Sequence, residues 1–258
     1  MRVAALTFNC AGDHVKGAHA LTVAADMSRN PKACGLVLVA LQELPHALSV
    51  AHIQTLLPRF HVATLSCGTE IGAFVTQLVV LSTEAHGDPR IDVVGSTCLQ
   101  HNVWGTKASA MVMLAVDSRF VTVVASHLPA TSNRDRTDAL QQIQNVLKSG
   151  RKAPHMVCLL GDLNFRVDTR APERDACKQT LVRLFGQDTV APCPEVPTYK
   201  VCRVGNRGKV LYAGIRQPSF TDRICLLGTA AAAAGLELTT LGRPHSDHLP
   251  VLGQFLLG

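Results

Sequence analysis

The chain has 258 residues, of which 47% are hydrophobic and 17% charged, and its formal net charge is +6. This composition is typical of a globular protein with a large core, and no apolar run reaches the roughly 18 residues of a membrane-spanning helix. The nine cysteines include no C-x-x-C pair, so we expect reduced thiols rather than a disulfide framework or a zinc site. The modest charge is compatible with an anionic substrate, an anionic membrane surface or simple solubility.

Eight apolar runs predict β-strands, which cover 3–8, 35–41, 74–81, 110–116, 120–125, 156–160, 223–227 and 249–256. Helical spacing predicts helices over 19–27, 46–57 and 133–148, the last with Asn133 as its N-cap and Gly150 as its stop. Because strands alternate with helices early and then pair up, we predict an α/β protein with mixed sheets. No repeat or low-complexity linker interrupts the chain, so we expect one domain over 1–258.

The two ends of the sequence lack familiar targeting patterns. The first apolar stretch reaches Asn9 too early for a secretory signal peptide, and the final FLLG has no prenylation cysteine. We therefore expect a cytoplasmic protein. Separately, we expect it to act as a monomer. Contact with an anionic membrane would be peripheral, and the loop 71–74 could provide it.

Polar side chains stand where several of the predicted strands begin or end. These residues are Asn9, Gln42 and Glu43, Ser126 and His127, Asp162 and Asn164, and Asp247 and His248. Five such places in one chain predict a site at one edge of the strands, where α/β folds tend to bind ligands.

The segment GDLNFR leaves two local structures open. If the strand persists, Asp162 and Asn164 share one face and Leu163 points into the core. The alternative is a turn, because Gly, Asp and Asn are common turn residues. In either case Gly161 leaves room for the close approach of a ligand or of another backbone.

Four segments, GDLNFR, PTYK, RQPSFTDRI and SDHLPV, follow one another in an order that resembles the signature of the inositol polyphosphate 5-phosphatases. FNCAG, LQE, GTKAS and SHLPA are similar to earlier, weaker parts of that signature, so the resemblance spans 8–251. This family is a branch of the DNase I-like endonuclease/exonuclease/phosphatase superfamily. The resemblance implies a four-layer α/β sandwich, in which two mixed β-sheets pack face to face and are flanked by helices.

The resemblance also implies Mg²⁺ as the cofactor. Glu43 would be its principal ligand, with Asn9 and Asp247 nearby. Mg²⁺ prefers oxygen ligands and keeps several waters, so one or two carboxylates suffice. The ion would neutralise the charge that builds on the phosphate and on the leaving oxygen.

Other residues of the signature would carry out the chemistry. Asp162 would accept a proton from the attacking water or orient it, and Asn164 would hold that water or a phosphate oxygen. His248 would donate to the phosphoryl group, while Asp222 would keep it protonated and oriented. His127 would hold another phosphate oxygen.

Basic residues would hold the other phosphates of the inositol. The implied substrate-binding residues are Lys107, Arg134, Arg136, Tyr199, Lys200 and Arg216. The chain departs from the family pattern beside several of them, at Thr106, Ala108, Gly214, Phe220 and Leu249. Since the family commonly has a lysine where Gly214 stands, we expect a less positive pocket for the 4-phosphate.

Three rival classes need weighing. CKQTLVR has the spacing of cysteine-dependent phosphatases from Cys177 to Arg183, but it lacks the glycine-rich loop of that chemistry and reads as helix. A nuclease would usually show stronger positive charge or more aromatic residues. A catalytically inactive lipid-binding module would be expected to have lost Glu43, Asp162 or His248, and all three are present.

The sequence therefore predicts a single 5-phosphatase-like catalytic domain over 1–258. It would be a Mg²⁺-dependent phosphomonoesterase that hydrolyses the 5-phosphate of phosphoinositides, of soluble inositol polyphosphates, or of both. No nucleic-acid partner is expected. The alternative is a Mg²⁺-dependent nuclease or another phosphodiesterase of the same superfamily.

Overall fold

The architecture is that of a computed structural model. It describes residues 1–28, 34–68, 74–82, 91–150, 153–166, 175–199, 201–204, 210–212, 218–241 and 247–258, with the backbone alone for 27–28, 202–204 and 210–212. Among these residues, no helix is both long enough and apolar enough to cross a membrane.

The first sheet contains β1 (Arg2–Asn9), β2 (Leu36–Leu44), β3 (His61–Cys67), β4 (Val75–Ser82), β12 (Glu237–Thr240) and β13 (Val251–Leu256). They lie in the order β12-β13-β1-β2-β4-β3. β1 and β2 are parallel and are connected through α1 (His14–Ser28), whereas the other neighbours are antiparallel. β1 and β2 are buried along almost their whole length, which explains why they read as apolar runs.

The second sheet contains β5 (Ile91–Gln100), β6 (Ala108–Val116), β7 (Arg119–His127), β8 (Met156–Asp162) and β11 (Asp222–Leu227), in the order β11-β8-β7-β6-β5. Here β7 and β8 are the parallel pair, and α3 (Asn133–Ser149) connects them. A separate two-stranded ribbon is formed by β9 (Val201–Val204) and β10 (Val210–Tyr212). Each large sheet therefore has one parallel pair, whose strands end at the same edge.

The layers follow from three hydrophobic clusters. The inner faces of the two sheets share one cluster, which includes residues from both sheets such as Leu38 and Val123. The outer face of the first sheet packs under α1 and α2 (Val50–Leu56), and that of the second under α3 and α4 (Ala176–Phe185). The order helix, sheet, sheet, helix confirms the predicted four-layer α/β sandwich with two mixed sheets.

The predicted elements correspond closely to the observed ones, with two kinds of error. All eight predicted strands and the three predicted helices are present, but β3, β5, β9, β10 and β12 were not predicted. The N-cap of α3 is Ser132, whose Oγ accepts a hydrogen bond from the N–H of Asp135, so the assignment to Asn133 was wrong by one residue. Gly150 is the C-cap as predicted, although its backbone is extended.

Candidate active site

The polar strand ends meet at one edge of the sandwich. Asn9 at the end of β1 is level with Gln42 in β2, and His127 at the end of β7 is level with Asp162 at the end of β8. Asn9 Oδ1 accepts a hydrogen bond from the N–H of Ala11, and its Nδ2 donates to Asp162 Oδ2 over 3.2 Å. This second bond crosses from one sheet to the other, so both sheets contribute to the site.

A turn follows β8 and places two of the predicted residues side by side. Asn164 has a φ of 53°, and its N–H donates to Asp162 Oδ1 over 3.1 Å. The turn interpretation of GDLNFR is therefore the correct one, and the shared strand face is wrong. Gly161 has a φ of 151°, and a Cβ there would lie 1.8 Å from the carbonyl oxygen of Ser126. The close neighbour expected at Gly161 is thus the backbone of β7.

Glu43 occupies a bulge near the end of β2. The register shifts between Leu41 and Leu44, and Glu43 has a φ of 54°, in the left-handed region that is costly for a non-glycine residue. Such a bulge re-aims a side chain out of the regular pleat. Glu43 Oε1 lies 3.6 Å from His127 Nε2 and 4.0 Å from Lys107 Nζ, so the carboxylate faces the second sheet.

A neutral histidine and a lysine meet beside this carboxylate. Lys107 Nζ contacts Nε2 of His127. Burial lowers the pKa of His127 well below its usual value, and the charge of Lys107 lowers it further, so the ring is neutral at neutral pH. Burial also lowers the pKa of Lys107, although the charges of Asp162 and Glu43 oppose that shift. A neutral imidazole can accept a hydrogen bond from the ammonium group through Nε2 and carry its proton on Nδ1.

His248 and Asp222 form a buried ion pair in which Nδ1 lies 2.8 Å from Oδ2. Burial lowers the pKa of His248, but the charge of Asp222 and the hydrogen bond to it outweigh burial and raise the pKa to about 10. His248 is therefore charged at neutral pH. Its Nε2 lies 3.9 Å from Asp162 Oδ2 and 3.9 Å from Asp247 Oδ1, so the imidazolium faces both carboxylates.

Asp162 lies between the two histidines. Its Oδ2 is 3.7 Å from Nε2 of His127 and 3.9 Å from Nε2 of His248. Burial raises the pKa of Asp162, while the charge of His248 opposes the rise. A carboxylate with a raised pKa is a stronger proton acceptor, so this environment suits a general base.

The residues present fit an oxygen-ligated divalent metal ion. Asp162, Asp222 and His248 offer ligand atoms that lie within 4.8 Å of one another. A cation beside Asp222 would, however, face the charged ring of His248. Glu43 has a side chain that is 28% exposed, whereas that of Asp222 is fully buried. A divalent ion that keeps several waters would suit the more exposed Glu43 better than Asp222, and Glu43 as the principal ligand stays a prediction.

Tyr199 of the predicted substrate-binding set lies inside the cluster. Its ring centroid is 4.8 Å from that of His248, and its backbone forms β-bridges with Ser219 and His248. The aromatic ring is therefore a wall of the site. Lys200 and Arg216 lie outside the described residues, as do Gly214 and residues 71–73 of the loop 71–74.

The two predicted arginines at the start of α3 have different surroundings. The side chain of Arg134 is 90% exposed, and its Nε lies 3.9 Å from Asp138 Oδ2. Arg136 is buried, and its guanidinium donates to the carbonyl of Pro129 over 3.1 Å and to Asn133 Oδ1 over 2.7 Å. The structure thus uses Arg136 to hold the loop before the helix, and it does not bring Arg134 into the cluster. A substrate contact by either arginine stays a prediction.

Some residues that shape the site were not singled out from the sequence. Cζ of Arg166 lies 5.3 Å from the ring centroid of Tyr199, and Arg166 itself is exposed. Thr221 Oγ1 donates to Asp222 Oδ2 over 3.1 Å, and Thr198 Oγ1 accepts from the N–H of Asp222 over 3.1 Å. Each stands inside a motif segment, but only the folded structure brings them to their partners.

The cysteine-phosphatase interpretation of CKQTLVR is excluded by the same structure. Cys177 is fully buried at the start of α4, and burial raises the pKa of its thiol to about 12. The thiol is therefore protonated and inaccessible at neutral pH, whereas nucleophilic catalysis needs an accessible thiolate.

Fold and site together define a hydrolase with a DNase I-like sandwich and a metal-binding acidic cluster. Residues 6–192 match the family described as "Endonuclease/Exonuclease/phosphatase family 2". Because this match covers well over half of the chain, the protein belongs to that family. No curated protein matches the sequence.

Solved structures of three proteins illustrate the range of relatives with this fold. The inositol polyphosphate 5-phosphatase domain of SPSYNAPTOJANIN, in complex with inositol (1,4)-bisphosphate and calcium, is 18% identical, with a TM-score of 0.66 over 98% of this chain and 83% of that one. An endonuclease/exonuclease/phosphatase from Bacteroides vulgatus is 13% identical, with a TM-score of 0.66 over 100% of both chains. D. rerio TDP2 with a single-strand DNA product is 14% identical, with a TM-score of 0.61 over 99% of both. At these identities the likeness establishes the fold alone.

Proposed function

We propose that this protein is a Mg²⁺-dependent phosphomonoesterase that removes the 5-phosphate from phosphorylated inositols. The observation that carries the proposal is the meeting of the four resemblance segments in one cluster. Tyr199 of PTYK bridges Ser219 of RQPSFTDRI and His248 of SDHLPV. His248 Nε2 in turn lies 3.9 Å from Oδ2 of Asp162 in GDLNFR. Tyr199 and Ser219, which belong to the segments that resemble the 5-phosphatase signature, are thus linked to His248 through the backbone of Tyr199.

In this proposal, a few side chains carry out the hydrolysis. Asp162 accepts the proton of the water that attacks phosphorus. The charged ring of His248 donates through Nε2 to the phosphoryl group, and Asp222 keeps that ring protonated. The Nδ2 group of Asn164 donates to the carbonyl of Leu128 over 2.8 Å, which fixes the amide beside Asp162 to position the water.

Glu43 would hold the Mg²⁺ ion, with Asn9 and Asp247 nearby. When bound, the ion neutralises the charge on the phosphate and on the leaving oxygen. The ammonium group of Lys107, which neutral His127 contacts through Nε2, lies beside Glu43 and donates a hydrogen bond to a phosphate oxygen.

The substrate class rests on the surface that Tyr199 and Arg166 form. The exposed guanidinium of Arg166 lies over the ring of Tyr199, which is itself packed on His248. A cation that is separated from His248 by the ring of Tyr199 suits a substrate with a second phosphate on a neighbouring ring carbon, because a guanidinium binds phosphate through paired hydrogen bonds.

A second candidate is hydrolysis of a phosphodiester in nucleic acid. D. rerio TDP2, whose structure holds a single-strand DNA product, shares the fold. Against this candidate, the chain has a net charge of only +6 and 4% aromatic residues, whereas proteins that bind single strands usually combine a basic groove with aromatic stacking platforms.

A substrate panel separates the two candidates. Release of inorganic phosphate would be followed with inositol 1,4,5-trisphosphate, inositol 1,4-bisphosphate and phosphatidylinositol 4,5-bisphosphate in mixed micelles, beside cleavage of a single-stranded oligonucleotide. We expect release from 5-phosphorylated substrates at least about 100-fold faster than from the 1,4-bisphosphate, a transition-state difference of roughly 3 kcal/mol. Asp162→Asn is the control for contaminating phosphatase. Oligonucleotide cleavage without phosphate release would overturn the proposal in favour of the second candidate.

A further inference from the structure

Two cysteines from different sheets lie side by side at the border of the sandwich. Cys67 ends β3 and Cys98 lies in β5, and these strands are the last in the order of their respective sheets. Cys67 Sγ donates to the carbonyl of Leu99 at 3.6 Å, and Cys98 Sγ donates to the carbonyl of Ser66 at 3.4 Å. Each sulfur therefore reaches the backbone next to the other cysteine, so the two thiols lie side by side across the border of the sheets.

The two thiols differ in accessibility. Cys67 is 2% exposed, whereas Cys98 belongs to the exposed residues of β5. The neighbouring Cys67 side chain lowers the pKa of Cys98 to about 7, although burial opposes the shift, while the neighbouring Cys98 side chain and burial raise the pKa of Cys67. An accessible thiolate poised next to a buried second thiol is the arrangement of redox-sensitive cysteine pairs.

We propose that Cys67 and Cys98 are a modification site, at which a low-molecular-weight disulfide such as glutathione disulfide converts the pair reversibly into an intramolecular disulfide. This proposal does not depend on the proposed function. The thiolate of Cys98 attacks glutathione disulfide, forms a mixed disulfide and releases one glutathione thiolate. The sulfur of Cys67 then attacks the Cys98 sulfur and expels the second glutathione, which takes up the proton of Cys67. The protein pair is oxidised and glutathione disulfide is reduced to two glutathione molecules.

The Cys67–Cys98 disulfide would join the two sheets at their edge strands, β3 and β5. Within the described residues, β3 and β5 contact each other without pairing as neighbouring strands, so side chains alone connect these two edges. A disulfide that closes the loop between them restricts the unfolded chain and should raise the melting temperature by about 5 to 10 °C.

The test uses the full chain, reduced and then incubated with glutathione disulfide under native conditions. Remaining thiols are alkylated before denaturation, and peptides are mapped by mass spectrometry. We expect a peptide cross-linked between Cys67 and Cys98, its loss on treatment with dithiothreitol, and the rise in melting temperature. The control Cys34→Ala removes another buried thiol, which is 2% exposed, and should form the same cross-link.

Two single variants separate the roles of the thiols. Cys67→Ser should retain one glutathione on Cys98, because the second thiol is missing. Cys98→Ser should leave Cys67 unmodified, because a buried thiol cannot reach the oxidant. The proposal is overturned if the unmodified sequence retains glutathione on Cys98, if another cysteine pair forms instead, or if no cross-link forms at all.

Discussion

Asp162 is the residue at which the two sheets and the two histidines of the site meet. Asn9 donates to it from the first sheet, and His127 and His248 approach it at 3.7 Å and 3.9 Å. Its other oxygen, Oδ1, accepts a hydrogen bond from the N–H of Asn164 in the turn that follows. A buried carboxylate with a hydrogen-bond donor on each oxygen is held in one orientation, so its replacement tests chemistry with little change of shape.

Asp162→Asn should lower kcat by at least about 100-fold and leave KM within about 3-fold, because the amide cannot accept a proton but keeps the shape of the carboxylate. The measurement is steady-state phosphate release by folded variant and parent. A change confined to KM would make Asp162 a binding residue and contradict its role as base.

Asp222→Asn should move the alkaline limb of the kcat profile to lower pH. The carboxylate favours the charged imidazolium, so the pKa of His248 is raised from 6.5 to about 10, and the protonated form persists up to that pH. Without the charge, the pKa falls toward its ordinary value and the active form disappears earlier as pH rises. Thr221→Val, which removes only the hydroxyl that donates to Asp222, should shift the limb much less. An unmoved limb, with His248→Ala inactive, would refute the pairing.

At the scale of elements, strand β8 fits against β7 only because residue 161 is glycine. A Cβ at Gly161 would meet the carbonyl oxygen of Ser126 at 1.8 Å, whereas one at Gly95 in β5 has no neighbour within 4 Å. The contact lies one residue before Asp162, so the fold and the site share this constraint.

Gly161→Ala should therefore reduce the free energy of unfolding by at least about 3 kcal/mol, through overlap with the neighbouring backbone and strain at positive φ. Gly95→Ala is the matched control and should stay within about 1 kcal/mol. Both values come from denaturant unfolding. Equal effects of the two substitutions would show that the close approach of β7 and β8 is incorrect.

Helix α3 depends on a cap that the sequence pattern misplaced by one residue. Ser132 Oγ accepts from the N–H of Asp135 over 3.1 Å and donates to its carboxylate over 2.8 Å. Ser132→Ala should cost about 1 kcal/mol of stability, the usual value for an N-cap serine. Ser149→Ala, at the exposed end of the same helix, should cost much less. An equal cost at both positions would place the cap elsewhere.

The strands that were predicted and those that were missed differ in burial. β2 and β8 are buried along nearly their whole length and read as apolar runs. β5 is exposed along most of its ten residues, and β12 has only four residues, so neither produces an apolar signal. The N-cap of α3 was uncertain because Ser132 and Asn133 are both good cap residues, and only hydrogen-bond geometry distinguishes them.

At the scale of the whole molecule, the site is assembled from segments that are far apart in sequence. The motif order indicated which side chains to consider, such as Glu43 and Asp222. It gave no sign that Lys107 contacts His127 or that Arg166 lies over Tyr199, because such contacts depend on how the two sheets and their loops come together. Charge states likewise depend on neighbouring charges: both histidines are buried, but His127 is neutral beside Lys107 and His248 is charged beside Asp222.

The central claim, metal-dependent removal of a 5-phosphate, is tested most directly by identifying the product formed from inositol 1,4,5-trisphosphate. The protein would be incubated with this substrate after removal of metal, with and without added Mg²⁺, and the products separated by ion-exchange chromatography beside phosphate determination. The account predicts inositol 1,4-bisphosphate and one equivalent of phosphate, formed only with Mg²⁺, and a loss of at least about 100-fold in kcat for Glu43→Gln. Removal of the 1- or 4-phosphate, or an undiminished rate without metal, would contradict it.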